Sequence, residues 1–182
     1  MIRLRILACL AIATIAAAPV AGQDGAAVVD RVVNDPRPQA LNVYGLRLPP
    51  AIRADKGVQF GRAVRVPVTR ASAATGEIGA VSPVLKPIKA GDRVVIAFWA
   101  RAHATENGAP GKVAGAMLER STPPHQRVFE QPVDIGPDWK MHTVSGRADR
   151  DYTPGELNAT LHLAGAKQVI DLGPVFVLRY PR

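Results

Sequence analysis

A run of mostly apolar residues without proline or glycine occupies positions 93–102, directly after a Gly91-Asp92 turn. The segment is rich in β-branched and aromatic residues, which fit the pleated surface of a sheet. Because side chains alternate along a strand, it presents two faces. They are Val94, Ile96, Phe98 and Ala100 on one side, and Val95, Ala97, Trp99 and Arg101 on the other. Both faces begin apolar, so the pattern predicts a central strand of a sandwich whose second face reaches solvent near Arg101.

Further strand patterns recur at the spacing expected of an all-β sandwich. They lie at 41–48, 62–68, 84–88, 112–120, 127–133, 139–146, 156–164 and 169–178. Pro67, Pro83 and Pro87 predict edge positions, since proline cannot complete a central ladder. Gly173-Pro174 predicts a bulge or a switch between sheets. We therefore predict a single β-sandwich jelly roll with Phe98, Ile96, Leu161 and Val175 in its core.

The segment 156–163 has the most regular alternation of apolar and polar residues. Leu157, Ala159, Leu161 and Leu163 point one way, and Glu156, Asn158, Thr160 and His162 point the other. This pattern predicts one face in the core and an opposite polar row that can bind a hydroxyl-rich ligand.

The N-terminus predicts a secretory signal peptide at residues 1–22. Arg3 and Arg5 precede an apolar run from residue 6 to 20, which ends in small residues. The run is shorter than the ~20 apolar residues that a membrane-spanning helix needs. We expect a bacterial protein that is periplasmic or secreted, with no membrane span after signal removal. An N-terminal extension at 23–40 then precedes the sandwich domain at 41–182.

Composition and charge narrow the possible partners. Cys9 is the only cysteine and lies in the signal, so the mature chain has no disulfide. The formal net charge is +8, and removing Arg3 and Arg5 leaves 21 basic against 15 acidic residues, or +6. The basic residues are dispersed rather than clustered or interleaved with aromatics, which argues against nucleic-acid binding. An anionic glycan or the outer cell surface stays open as a partner.

Several segments together resemble one family. Residues 89–102, 61–66, 137–140, 161–165 and 169–177 are similar to strands of the CenC-type carbohydrate-binding modules of families four and nine, which are often appended to xylanases. The resemblance covers roughly residues 57 to 180. It implies a galactose-binding-domain-like jelly roll that binds a polysaccharide or oligosaccharide on the concave face of one sheet.

The resemblance also implies contact residues. Arg127, just ahead of Glu130-Gln131, matches a ligand-contacting arginine, and Gln131 belongs to the same motif. His162 matches a ligand-contacting histidine. Asn158, on the same strand face, stands where such modules can carry an arginine.

Two glycines depart from the family pattern. Gly76 stands at the position of a stacking tryptophan and Gly79 at that of an acidic residue, which Glu77 replaces only by a register shift. Tyr44 and Tyr152 lie near turns and are alternative stacking platforms. Trp99, Trp139 and Arg101 are expected to be structural or ion-paired, and a surface ion pair is the alternative role for Arg127. An exposed histidine without a ligand is the alternative for His162.

Metal and catalytic signals are weak. The four histidines show no zinc-ligand spacing. Asp171 falls where related modules can hold a structural calcium, but a single carboxylate does not make an oxygen cage. No Gly-x-Ser-x-Gly elbow occurs. Candidate carboxylates for glycosidase chemistry are scattered through the sequence, namely Glu77, Glu119, Glu130 and Asp134.

These observations lead to three candidate functions, given from the most to the least favoured. The first is non-catalytic binding of a β-linked polysaccharide such as xylan or β-glucan, with no cofactor and calcium as the open alternative. The second is a structural or assembly sandwich that has lost glycan binding, which Gly76 and Gly79 suggest. The third is a small hydrolase, disfavoured by the missing motifs. The sequence leaves the glycan, the partner enzyme and the oligomeric state open.

Overall fold

The computed structural model describes residues 28–182, so the predicted signal peptide and residues 23–27 of the extension lie outside the described part. Ten strands make up most of it. They are β1 (Asn42–Tyr44), β2 (Ala51–Ala54), β3 (Arg62–Val68), β4 (Gly79–Pro83), β5 (Arg93–Thr105), β6 (Gly111–Arg120), β7 (Arg127–Ile135), β8 (Lys140–Arg147), β9 (Leu157–His162) and β10 (Gln168–Tyr180). Residues 28–31 form a helical turn. Short 3-10 turns occupy Pro38–Ala40, Gln59–Gly61, Thr75–Glu77 and Glu106–Gly108.

The strands form two five-stranded antiparallel sheets. We call the sheet with strand order β1-β4-β9-β6-β7 the front sheet, and the sheet with order β2-β3-β10-β5-β8 the back sheet. The predicted all-β sandwich is confirmed.

The core lies between the sheets and follows the predicted faces. Phe98, Ile96, Leu161 and Val175 are each at most 1% exposed, as predicted. On β5, the 94/96/98/100 face is fully buried. The opposite face reaches solvent at Trp99 and Arg101, which are both half-buried. Burial of alternate residues from both sheets is the main stabilising contribution, at roughly 1.5–3 kcal/mol for each large apolar side chain.

Pro67, Pro83 and Gly173-Pro174 lie at a bulge or at positions where the strand has a neighbour on only one side. The register between β10 and β5 shifts between Leu172 and Val175, so Gly173-Pro174 forms the predicted bulge. Strand β10 stays in the back sheet on both sides of it, so the alternative of a sheet switch is wrong. Pro67 lies beyond the part of β3 that pairs with β2, and Pro83 lies beyond the part of β4 that pairs with β1. On the unpaired side of each of these two prolines, residues 28–182 provide no neighbouring strand, so the missing N–H breaks no hydrogen bond there.

The prediction was wrong around residues 79–88. The strand is β4 at Gly79–Pro83, and 84–88 carries only an isolated bridge between Ile88 and Tyr152. Small residues at 79–80 have low intrinsic strand preference, but β1 and β9 pair with them on both sides. The strand predicted at 41–48 is shorter in the structure, where only β1 (Asn42–Tyr44) is a strand. Strand β2 (Ala51–Ala54) was not predicted.

The N-terminal extension joins the sandwich through Asn34. Its side-chain amide donates to Ser82 Oγ and to the Val175 carbonyl, both at 2.7 Å. Its Oδ1 accepts the Val177 N–H at 2.8 Å. Asn34 therefore links the extension to β4 and β10, and Val33 beside it is buried in the core.

Candidate functional site

A groove of about 810 Å³ runs over the outer face of the front sheet. Four strands, β1, β6, β7 and β9, contribute polar side chains to its lining. These side chains belong to Asn42, Tyr44, Glu119, Arg127, Asn158 and His162. A concave surface with convergent polar groups is the general form of a small-ligand or oligosaccharide site.

Strand register places these side chains on one face. Asn158 and His162 alternate with core residues of β9, so they point outward with the intervening Thr160. Glu119 on β6 is paired with Asn158 on β9 and with Arg127 on β7. Cross-strand partners lie on the same face of a sheet, so the three side chains form a row across the groove. Thr160 is 1% exposed, and its hydroxyl is buried without a partner within residues 28–182.

His162 lies beneath the 3-10 turn at Thr75–Glu77. A Cβ built on Gly76 would lie 2.9 Å from Cε1 of His162, so only glycine lets the turn pass this close over the ring. Burial lowers the pKa of His162, while the charges of Glu119 and Glu130 raise it and that of Arg127 lowers it. The imidazole is therefore neutral near pH 7, with one donor and one acceptor.

Tyr44 lies over Gly79. A Cβ on Gly79 would lie 2.5 Å from the Tyr44 hydroxyl, so the ring occupies space that any side chain at 79 would fill. Gly45 follows with φ +80, and a Cβ there would overlap the Glu77 carbonyl. Burial, and secondarily the charge of Glu119, raise the pKa of the Tyr44 hydroxyl. Tyr44 thus presents a protonated phenol and part of a ring face to the groove.

The acidic groups of the groove differ in their pairing. Glu130 accepts an ion pair from Arg127 at 2.7 Å and lies against Gly115. Glu119 is 8% exposed, and no ion pair or hydrogen bond within residues 28–182 engages its carboxylate. Glu119 and Glu130, eleven positions apart in the sequence, both lie close enough to His162 for their charges to raise its pKa.

The structure brings some of the predicted contact residues together and separates others. Arg127, Asn158 and His162 line the groove. Glu77 lies outside its lining and faces Arg70 at 3.6 Å. Gln131 is paired with Ala116, a fully buried core residue, so it lies on the opposite side of β7 from Glu130, at the sandwich edge.

Of the two alternative platforms, only Tyr44 reaches the groove. Tyr152 is 4% exposed and its hydroxyl donates to Asp149. Burial, and secondarily the hydrogen bond to Asp149, raise the pKa of Tyr152 to about 12. Trp99 and Trp139 belong to the back sheet and its rim, with both indole nitrogens buried.

Sequence reasoning missed Glu119 and Asn42 as groove residues. The register between β6 and β7 shifts between Val113 and Ala116, so the alternation cannot be followed from the start of β6 to Glu119. The signal that could have placed Glu119 outside is Leu118, because an apolar residue at a core position directs the side chain that follows it to the opposite face.

On the outer face of the back sheet, Asp171 is held by two arginines. Its Oδ1 and Oδ2 accept from Arg65 at 2.7 and 2.8 Å, and Arg101 Nε donates to Oδ2 at 3.0 Å. Arg101 also binds Asp55 at 2.8 Å and lies 4.9 Å from the Trp139 ring centroid. Residues 28–182 contain no group of three or more His, Cys, Asp or Glu side chains suited to a metal.

Solved structures of known function share this arrangement of strands. The second N-terminal cellulose-binding domain of Cellulomonas fimi β-1,4-glucanase C matches with a TM-score of 0.58 and 14% identity, covering 85% of this chain and 99% of that domain. The first N-terminal cellulose-binding domain of that enzyme gives 0.57 and 18%, over 81% and 92%. The fold is that of these binding domains.

A third match is the CBM22-1 xylan-binding domain of a Paenibacillus barcinonensis protein, with a TM-score of 0.51 and 15% identity over 84% of this chain and 93% of that domain. The resemblance seen in the sequence is confirmed at the level of the fold. No protein-family model and no curated protein sequence matches the chain.

Proposed function

We propose that this protein is a non-catalytic carbohydrate-binding module that holds a β-linked polysaccharide such as xylan or β-glucan in the groove of the front sheet. The observation that carries the proposal is the row of Asn158, Glu119 and Arg127 across one groove, with His162 and Tyr44 beside it. The fold likeness to cellulose-binding and xylan-binding domains supports the choice of ligand class.

The groove chemistry suits a neutral, hydroxyl-rich chain. Arginine offers a planar fork of donors, and an asparagine amide or a neutral imidazole offers both donor and acceptor. A pyranose hydroxyl can pair with either kind of group. Tyr44 adds a partial ring face on which the apolar side of a pyranose can stack, a contact of the kind worth about 0.5–1.5 kcal/mol between aromatic rings.

Location and cofactor use belong to the same proposal. We infer that the chain is exported, because residues 1–22 have the pattern of a signal peptide. None of the helical segments in residues 28–182 has the length and hydropathy of a membrane span. We also infer that folding needs no calcium, since both oxygens of Asp171 already accept from arginines.

Affinity gel electrophoresis tests the proposal. The purified protein is run through native gels that contain xylan, mixed-linkage β-glucan or mannan, with a polysaccharide-free gel as reference. We expect retardation on at least one of the first two. Unchanged mobility on the whole panel would contradict glycan binding and favour a structural module. Release of reducing ends from the retarding polysaccharide would show catalysis instead.

A further inference from the structure

Glu119 is a groove residue whose carboxylate has no hydrogen bond or ion pair with another residue in 28–182. The residue is 8% exposed, but its carboxylate oxygens are not among the fully buried atoms that lack a partner, so what is exposed includes the oxygens that face the groove. Its cross-strand neighbour Arg127 is held by Glu130 instead, at 2.7 Å. Arg120, the next residue on β6, lies 4.0 Å from Glu156. The nearby cations therefore serve other carboxylates.

The position of Glu119 in the sheet keeps its carboxylate on the groove floor. Core residue Leu118 lies on the opposite face of β6, so the Glu119 side chain cannot turn inward. On the groove side it lies between Asn158 of β9 and Arg127 of β7. The phenol of Tyr44 is close enough for the charge of Glu119 to raise its pKa.

A carboxylate in this position accepts hydrogen bonds and donates none. Suitable partners are a metal ion, an organic ammonium group or hydroxyl groups. The described residues contain no cluster of three metal-ligating side chains, which disfavours the metal. Asn158 and neutral His162 both present donors beside Glu119, and an ammonium group has no acceptor for them. Hydroxyl groups can donate to Glu119 and accept from these neighbours.

We propose that Glu119 is a specificity-determining residue that accepts hydrogen bonds from two adjacent free hydroxyls of one pyranose unit. The groove then selects backbone stretches with an unsubstituted vicinal diol and rejects units in which either hydroxyl is acylated. This inference rests on the proposed function and names the ligand class of the same groove. An ester at either oxygen removes the donor and places a carbonyl acceptor against the carboxylate, so the bound ligand displaces water from Glu119 without replacing its hydrogen bonds.

The first experiment compares two ligands that differ only in acylation. Binding of the wild-type protein to natively acetylated xylan is measured by isothermal titration calorimetry beside the same xylan after mild alkaline deacetylation. We expect at least tenfold tighter binding per site to the deacetylated chain. Equal binding to both preparations overturns the proposal, as does tighter binding to a glucosamine oligomer than to xylohexaose.

The second experiment uses Glu119→Gln, which keeps the shape and removes the charge. The substitution should affect binding and leave folding intact. Affinity for deacetylated xylan falls at least tenfold, because the amide offers one acceptor where two were needed. The melting temperature of the ligand-free protein changes little, because the carboxylate has no hydrogen bond or ion pair in residues 28–182 to lose.

A matched control is Glu106→Gln, because Glu106 lies in an exposed turn and contacts Lys167 at 3.4 Å. It should change neither affinity nor melting temperature appreciably. If Glu119→Gln lowers the melting temperature, the carboxylate is a structural acceptor and the proposal is wrong. If wild-type protein binds no glycan at all, the proposed function fails and this inference fails with it. If wild type binds and Glu119→Gln binds equally, only this inference fails.

Discussion

The two outer faces of the sandwich use similar charged residues in opposite ways. On the back sheet, Arg65, Arg101, Asp55 and Asp171 form one network in which each charge has a partner within 3.0 Å. On the front sheet, Glu119 is more buried than either of those arginines but has no partner within residues 28–182.

The difference separates a structural face from a candidate binding face. A buried ion network gains its stability only when every member is satisfied. The back sheet meets that condition within the folded chain. The front sheet leaves the Glu119 carboxylate without a partner in residues 28–182 beside a groove of about 810 Å³, so this group is free to accept hydrogen bonds from water or from a ligand.

The largest expected effect comes from breaking the satisfied face. Asp171→Ala leaves Arg65 and Arg101 without their shared acceptor, and their side chains are only 19% and 27% exposed. Removing one partner of a buried pair costs about 3–5 kcal/mol, so we expect a loss of that order in the free energy of unfolding. Urea denaturation followed by tryptophan fluorescence measures it.

The control for this change is Asp35→Ala, whose solvent-exposed pair with Arg37 should contribute little to the free energy of unfolding. Glycan affinity of Asp171→Ala should stay at the wild-type level where the variant is folded. Adding a chelator to wild-type protein should leave the unfolding curve unchanged. A chelator-induced loss of stability would contradict the inference that arginines alone satisfy Asp171.

The groove itself is tested by Arg127→Ala and His162→Ala. Each change leaves a ligand hydroxyl without its partner in a half-buried site, so binding should weaken by about 1–3 kcal/mol. The free energy of unfolding should change little, because neither side chain lies in the core. Calorimetric titration with the polysaccharide that retards the protein measures the loss.

Two exposed residues away from the groove provide matched controls, Arg53→Ala on β2 and His103→Ala on β5. Both variants should bind as wild type does. Wild-type affinity in the double variant of Arg127 and His162 would remove these residues from the site.

The smallest expected effect is a pH dependence that belongs to the groove. Burial lowers the pKa of His162 from its ordinary 6.5, so the folded protein protonates it at lower pH than the unfolded chain does. Binding should be constant from neutral pH down through 6.5 and weaken below it, as the imidazole loses its acceptor.

Stability should follow the same sign. Below pH 6.5 the unfolded state binds more protons at this site than the folded state, so the His162 contribution to stability decreases as pH falls. Titrations of wild type and His162→Gln across this range measure both effects. The pH-dependent part should be smaller in the variant, and an identical profile would assign the effect to another group.

Much of the sandwich could be predicted because it depends on local alternation. The alternating faces of β5 and β9 place their apolar residues in the core, as the pattern indicated. Strand β4 could not be predicted from Gly79 and Ala80, because its pairing with β1 and β9 replaces the strand preference that its residues lack. The shortened β1 and the missed β2 likewise depend on pairing with distant strands.

The groove residues also fall into those that a local pattern predicted and those that depend on distant contacts. Asn158 and His162 lie two strand steps apart on one face, so a single alternating segment placed them together. Arg127 entered through family resemblance, and its position beside them depends on β6 lying between β7 and β9. The ring of Tyr44 over Gly79 and the turn of Gly76 over His162 involve residues far apart in sequence.

The sequence by itself determined the fold class, the core residues and the outward polar row of β9, because alternation within one strand is a local property. Only the tertiary structure decided that Gln131 and Glu77 lie outside the groove while Glu119 lies in its floor. That outcome depends on register, bulges and strand order. Whether a carboxylate finds a partner is decided by strands that are neighbours in space, and the pattern along one strand carries no information about them.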